Sequence, residues 1–228
     1  PQGREAGNGD FTKNLTVSDV TTGAFKTEYS LDRIKQAHIS RDYTKCVVTL
    51  TNEARQNIEF EFRISDNDVA IRYNIPKPQQ RASTRVLFEN TGFRFPDGTT
   101  TFLTPQSDAM IGWQRSKPSY EEGYSHDGEM NVRSGYGHGY TFPGLFRVND
   151  DGWVLLCETG VSSKYCGSRL GDCVDNTYKI EFPMPDENNG IGTIHPALRL
   201  PGSTPWRTIT VGADLKPIVE TTVMWDYV

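Results

Sequence analysis

Cysteine is scarce, and no two cysteines stand in CxxC spacing: Cys46, Cys157, Cys166 and Cys173 are the four in 228 residues. That spacing disfavours a zinc site or a thioredoxin-like motif. Long apolar runs are missing too. The longest clean one is Trp153 to Cys157, far short of the roughly 20 residues of a membrane-spanning helix. Basic residues are outnumbered, 24 Lys and Arg against 29 Asp and Glu, for a formal charge of −5. A general nucleic-acid or anionic-membrane binder needs a basic footprint that this chain lacks. HExxH, HxH and GxSxG are all absent. His38, His126, His138 and His195 therefore read as surface or core residues, and no serine nucleophile is signalled. Helical periodicity is almost absent.

What remains is a globular, aromatic, turn-rich composition. Hydrophobic residues make up 36%, charged residues 23% and aromatics 11%, with 21 Gly and 13 Pro. Such a chain is large enough to bury a core. It begins at Pro1 without a charged-then-apolar leader, as expected of a processed protein or an internal piece of a longer one. Residues 1–10 hold three Gly and read as a flexible end. No linker splits the rest, so 11–228 is expected to form one β-sandwich domain.

Period two dominates the first half. Ile58, Phe60, Phe62 and Ile64 alternate with Glu59, Glu61 and Arg63, which predicts a half-buried strand with a charged outer face. After the turn signal Asp66-Asn67-Asp68, Val69, Ile71, Tyr73 and Ile75 alternate in the same way, completing a hairpin. Further strands are expected at Cys46–Thr51, Arg85–Glu89, Thr99–Leu103, Leu145–Val148, Trp153–Glu158, Tyr178–Phe182, Arg207–Val211 and Ile218–Trp225, and a short helix or turn at Leu31–Ile39. Many strands with Gly and Pro punctuation argue for an all-β antiparallel sandwich or barrel.

Residues 104–143 differ. They carry Trp113, Tyr120, Tyr124, Tyr136, Tyr140 and Phe142 without steady period, the mark of a functional or docked loop. Within this stretch, Gly135-Tyr136-Gly137-His138-Gly139 lacks a following GK[ST] and reads as turn chemistry rather than a phosphate loop. Asn149-Asp150-Asp151-Gly152 lacks calcium-loop spacing and reads as a hairpin turn. The acid pairs Glu121-Glu122 and Asp186-Glu187 read as solvated loop charges. Cys46 and Cys157 read as small buried hydrophobes, while Cys166 and Cys173 leave a disulfide open in an oxidising compartment. Glu158 closes the apolar strand Trp153–Cys157. A carboxylate there must be exposed, paired or metal-bound, and the residues alone leave those three open. Trp206 follows Pro205 at a strand entrance and is expected to anchor the core.

Six strings in order resemble one family. They are Phe102-Leu103-Thr104-Pro105-Gln106-Ser107, Lys117-Pro118-Ser119-Tyr120-Glu121-Glu122, Gly139-Tyr140-Thr141-Phe142-Pro143, Gly152-Trp153-Val154-Leu155 with Glu158-Thr159-Gly160, Pro201-Gly202-Ser203-Thr204-Pro205-Trp206-Arg207, and Ile218-Val219-Glu220-Thr221-Thr222. Together they resemble the N-terminal domain of glycoside hydrolase family 97. The resemblance implies a galactose-mutarotase-like two-sheet sandwich followed by a (β/α)8 barrel. It implies a periplasmic or secreted enzyme acting on α-linked glucosides or galactosides. It also implies an active-site calcium, held mainly by barrel residues, with Glu158 as the one ligand from the sandwich. Inverting and retaining members take their deciding carboxylate from the barrel, so no catalytic residue is expected within this chain. Glu158 is expected to be exposed and metal-free here. The sequence departs from the pattern by stopping at Val228 and by lacking leading strands before Phe11. Two other functions compete: a stand-alone carbohydrate-binding module stacking sugars on Trp113, Tyr120 and Tyr140, and a purely structural interface domain.

Overall fold

The computed structural model describes residues 9–79, 81–108, 122–185, 187 and 193–228. In chain order its strands are β1 (Thr16–Ser30), β2 (His38–Thr51), β3 (Asn57–Ile64), β4 (Asp68–Ile75), β5 (Ser83–Arg85), β6 (Gly92–Arg94) and β7 (Thr100–Phe102). Then come β8 (Gly144–Val148), β9 (Gly152–Thr159), β10 (Arg169–Leu170), β11 (Thr177–Glu181), β12 (Ala197–Arg199), β13 (Gly202–Ser203) and β14 (Trp206–Gly212). A short helix, α1 (Leu215–Glu220), and a 3-10 turn at Val223–Trp225 follow.

The fold is almost entirely antiparallel β. One large sheet runs β1-β2-β3-β4-β14-β9-β8-β7, with β13 also on β4. A second layer consists of β10-β11-β6 and, separately, β12-β5. The alternation in β3 and β4 does what it predicts. Phe62 pairs with Ile71 and Phe60 with Tyr73, which puts both apolar sets on one face. Phe60 stacks on Tyr73 at 4.8 Å. That face packs Ile71, Phe146 and Leu156 against Phe93, Leu170, Tyr178 and Ile180 of the smaller sheet. A second cluster joins Ile75 to Leu198, Leu200 and Tyr165 beneath β12-β5. Ile64, at the end of its strand, is exposed.

The other face of the large sheet is not solvent-facing throughout. Glu61 is 1% exposed, which corrects the expectation of a charged outer face. Arg63 and Arg72 pair with its carboxylate at 3.1 and 2.8 Å, and Asn74 donates to it at 3.0 Å. Arg63 in turn lies over the rings of Phe25 and Trp206. The C-terminal segment supplies the cover: Trp206 stacks on Tyr227 at 4.5 Å, and Ile218 and Val223 are buried. Trp206 is a core anchor, as expected, at 4% exposure.

Two strand expectations are corrected, and the helix-or-turn expectation resolves as the turn. Ile218–Trp225 is not a strand. Asp214 caps α1 by accepting from the Lys216 N–H at 2.8 Å, and Pro217 sits in the first turn, where its missing N–H costs little. Leu31–Ile39 is not helical. Its first part is the turn of the β1–β2 hairpin, and His38 and Ile39 already belong to β2. Arg85–Glu89 is strand only to Arg85. β1 carried no readable signal, because its side chains are exposed along most of its length and its pairing with β2 is made by backbone.

Two loop readings hold. Asn149–Gly152 forms the tight β8–β9 connection, with Asn149 at φ 48°. Gly139 has φ 80°, and an added Cβ would lie 2.0 Å from the Leu170 carbonyl oxygen. Only glycine permits that approach, which the Tyr140–Leu170 bridge requires. All four cysteines are free, so Cys166 and Cys173 are not joined. Cys173 donates to Asn131 Oδ1 instead, at 3.4 Å.

Candidate functional site

Among the described residues, no group of three or more His, Cys, Asp or Glu side chains stands close enough to hold a metal. The candidate acids Glu121 and Asp186, and the aromatics Trp113 and Tyr120, lie outside the described residues. Tyr140 is buried in the main core rather than presented to a ligand. Tyr124 is exposed, and Phe142 packs against the core. His138 approaches Asp108 at 3.0 Å and His38 approaches Glu28 at 3.5 Å. Neither pair includes Glu158. Glu187 accepts from the Met184 N–H at 2.9 Å and acts as a local turn cap.

Glu158 is the sequence candidate around which the structure gathers chemistry. It sits at the end of β9, directly across from Arg207 in β14. That face of β14 also carries Ile209 and opposes Ile71 of β4, so both charged side chains point between the layers. The Glu158 side chain is only 7% exposed. This overturns the expected exposure, and the reason is its partner. Arg207 Nη1 lies 2.8 Å from Glu158 Oε2. The loop after β9 closes the other side: the Ser168 N–H donates to Oε1 at 2.8 Å and the Ser168 hydroxyl to Oε2 at 2.6 Å.

Arg207 is shared. Its Nη2 donates to Glu89 Oε2 at 2.9 Å, and its side chain is 2% exposed against 5% for Glu89. Glu89 also accepts from Thr91 Oγ1 at 2.9 Å and from the Tyr165 hydroxyl at 3.3 Å. Two carboxylates and one guanidinium form a buried set with net negative charge. Burying charge is costly unless each group is paired and hydrogen-bonded. The two carboxylates have such partners, whereas Arg207 is hydrogen-bonded only through Nη2: its Nη1 is held by the ion pair with Glu158, and its Nε is buried with no hydrogen bond among the described residues. Burial, then the charge on Glu89, push the Tyr165 hydroxyl well above its ordinary pKa, so it stays a donor. Burial, followed by the Glu158 charge, pushes the Cys166 thiol up to about 11, so it is a neutral thiol.

Sequence reasoning found Glu158 and missed Arg207, Glu89 and Ser168. A signal existed for Arg207: it stands between Trp206 and Ile209 in a strand-like run, and a charge in such a place needs an opposite charge. Which carboxylates answer it was not readable, since Glu89 is 118 positions away.

As a donor, the Glu158 carboxylate suits a hard cation such as calcium. Among the described residues three contacts engage it, two of them on Oε2 and one on Oε1, so Oε1 is the less occupied oxygen. The residues therefore fit the contribution of one oxygen ligand, with the rest of a six- to eight-oxygen shell coming from outside them.

Fold and site together define an antiparallel sandwich that buries an ion-paired acid at a strand end. Residues 3–227 match the family model for the glycosyl-hydrolase 97 N-terminal domain, and the chain belongs to that family. A solved beta-arabinopyranosidase is 57% identical, with a TM-score of 0.93 over 96% of this chain and 35% of its own. A glycoside hydrolase family 97 enzyme from Pseudoalteromonas sp. strain K8, solved with panose and with acarbose, is 16% identical, with a TM-score of 0.74 over 92% of this chain and 29% of its own. That second likeness shows the fold alone. The chain spans about a third of the length of these solved proteins. No curated protein matches it.

Proposed function

We propose that this N-terminal domain serves an exported glycosidase acting on pyranosides of arabino or galacto configuration. In this reading the domain packs on a C-terminal (β/α)8 catalytic domain and lends Glu158 to its calcium ion. The observation that carries the substrate class is the 57% identity to a beta-arabinopyranosidase across nearly the whole chain. A β-L-arabinopyranoside and an α-D-galactopyranoside share ring and anomeric configuration and differ by one hydroxymethyl group. The α-galactoside reading of the sequence thus lies one carbon from a β-L-arabinopyranoside, and the α-glucoside reading lies further off. Export to the periplasm or the medium rests on the family resemblance.

Bound calcium would act as a Lewis acid beside the glycosidic bond. This chain's part is to hold Glu158 oriented and shielded from water. The buried Tyr140 gives no support to a sugar platform at that position. The test is kcat/KM of the full-length enzyme on p-nitrophenyl β-L-arabinopyranoside, α-D-galactopyranoside and α-D-glucopyranoside. One missing hydroxymethyl should separate the first two by about 10–200-fold, with the glucoside slowest. A preference for the α-glucoside overturns the reading.

A further inference from the structure

We infer that Ser168 and Arg207 are positioning residues that aim the Glu158 carboxylate, an inference that rests on the calcium-ligand reading. A glutamate at a strand end has three side-chain torsions to lose before it becomes a rigid ligand. Here the geometry removes them in advance. Ser168 grips the carboxylate at both oxygens, N–H to Oε1 and hydroxyl to Oε2, which fixes the plane of the group. Arg207 meets Oε2 from the opposing strand, which fixes its edge.

Arg207 cannot swing away, because Glu89 holds its other terminal nitrogen. The loop that delivers Ser168 is anchored at a second point. Tyr165, three residues earlier, donates to the same Glu89, and the Tyr165 N–H bonds back to the Ser162 carbonyl at 3.1 Å. Strand β14, the Glu89 segment and the loop after β9 therefore converge on one carboxylate. The distribution of contacts is uneven in a useful way. Among the described residues Oε2 takes two and Oε1 takes one, so Oε1 is the less occupied oxygen and the one better placed to give a lone pair. Supports of this kind are generally worth about 10–100-fold in metal affinity.

The experiment is isothermal titration of calcium into full-length enzyme freed of metal by chelation, with melting of the metal-free proteins in parallel. Ser168→Ala should weaken calcium binding by about 10–100-fold while the metal-free melt stays close to the parent's. Ser168→Thr, which restores the hydroxyl, should recover most of the affinity. Arg207→Lys removes the forked grip and should weaken binding too; should it fail to fold, the serine pair still decides. Glu158→Gln separates the two levels. If Glu158→Gln weakens binding and Ser168→Ala does not, the positioning inference is overturned and the ligand reading stands. If Glu158→Gln leaves the affinity unchanged, the ligand reading falls and takes the inference with it. A lowered Ser168→Ala melt with parental calcium affinity marks the contact as a fold clamp only, which also overturns the inference.

Discussion

Tyr29, in the outermost strand of the large sheet, donates a hydrogen bond of 2.7 Å to Asp226, 197 positions later. The Asp226 side chain is fully buried. Tyr43 also donates to it, and Arg41 Nε stands 3.8 Å away. Arg41 reaches on to Asp68 at 2.8 Å, and Asp68 accepts from Thr210 and Thr221 at 2.5 and 2.9 Å. One buried polar network thus fastens the C-terminal segment across the sheet.

Asp226 should make stability depend on pH. Burial raises its carboxyl pKa, more than the tyrosine hydrogen bonds and Arg41 lower it. A raised pKa means the folded state favours the protonated acid. Its contribution is complete below the unfolded value of about 3.9 and is lost as pH rises through the folded value. Asp226→Asn cannot ionise. Its melting temperature should therefore gain on the parent's as pH rises from about 4 towards neutrality. Parallel curves for the two proteins would refute this.

Glu61 should show the opposite sign. Burial works against its carboxylate, but hydrogen bonds from Asn74 and Arg72 and the charges of Arg72 and Arg63 outweigh it, so its pKa falls. Its stabilisation is present above the unfolded value of about 4.3 and fades as pH drops through the folded value. Glu61→Ala leaves Arg63 and Arg72 facing each other and should cost about 3 kcal/mol at neutral pH, measured by urea unfolding. The cost should shrink on acidification.

Trp206→Ala should cost about 3–5 kcal/mol. It removes the stack on Tyr227 and the ring beneath Arg63 and Arg72. Unfolding by guanidinium should show the loss as a lower midpoint with an unchanged slope. An unaltered midpoint would contradict the anchoring role.

The purified chain by itself should hydrolyse no aryl glycoside. Its best candidate acid, Glu158, is committed to Arg207 and Ser168, and glycoside hydrolysis requires two carboxylates flanking the scissile bond. Release of p-nitrophenol that disappears on substitution of an Asp or Glu within residues 1–228 would defeat the accessory-domain reading.

Legibility followed burial. β3 and β4 were readable because apolar residues alternate along them, which writes period two into the residues, and β8, β9 and β14 because short apolar or β-branched runs stand between turn signals. β1 was not, because exposed side chains carry no such record. Ile218–Trp225 misled for a related reason. Its apolar residues pack on a sheet made elsewhere, and the Asp214 cap and Pro217 turn that run into a helix.

The sequence by itself determined that the chain is an antiparallel β protein, that Trp206 belongs inside, and that Glu158 must be exposed, paired or metal-bound. These are local facts, set by side-chain alternation and by the cost of a bare charge at the end of an apolar strand. Only the tertiary structure decided that Glu158 is paired, and with what. Arg207 comes opposite Glu158 through the β14–β9 register, Glu89 arrives from 118 positions away, and Ser168 is delivered by a loop. It likewise decided that Glu61 is covered rather than wet, because Arg63, Arg72 and Asn74 close on its carboxylate and Trp206 and Tyr227 lie against those arginines. Charge pairing inside a protein is a matter of distance in space, and distance along the chain does not record it.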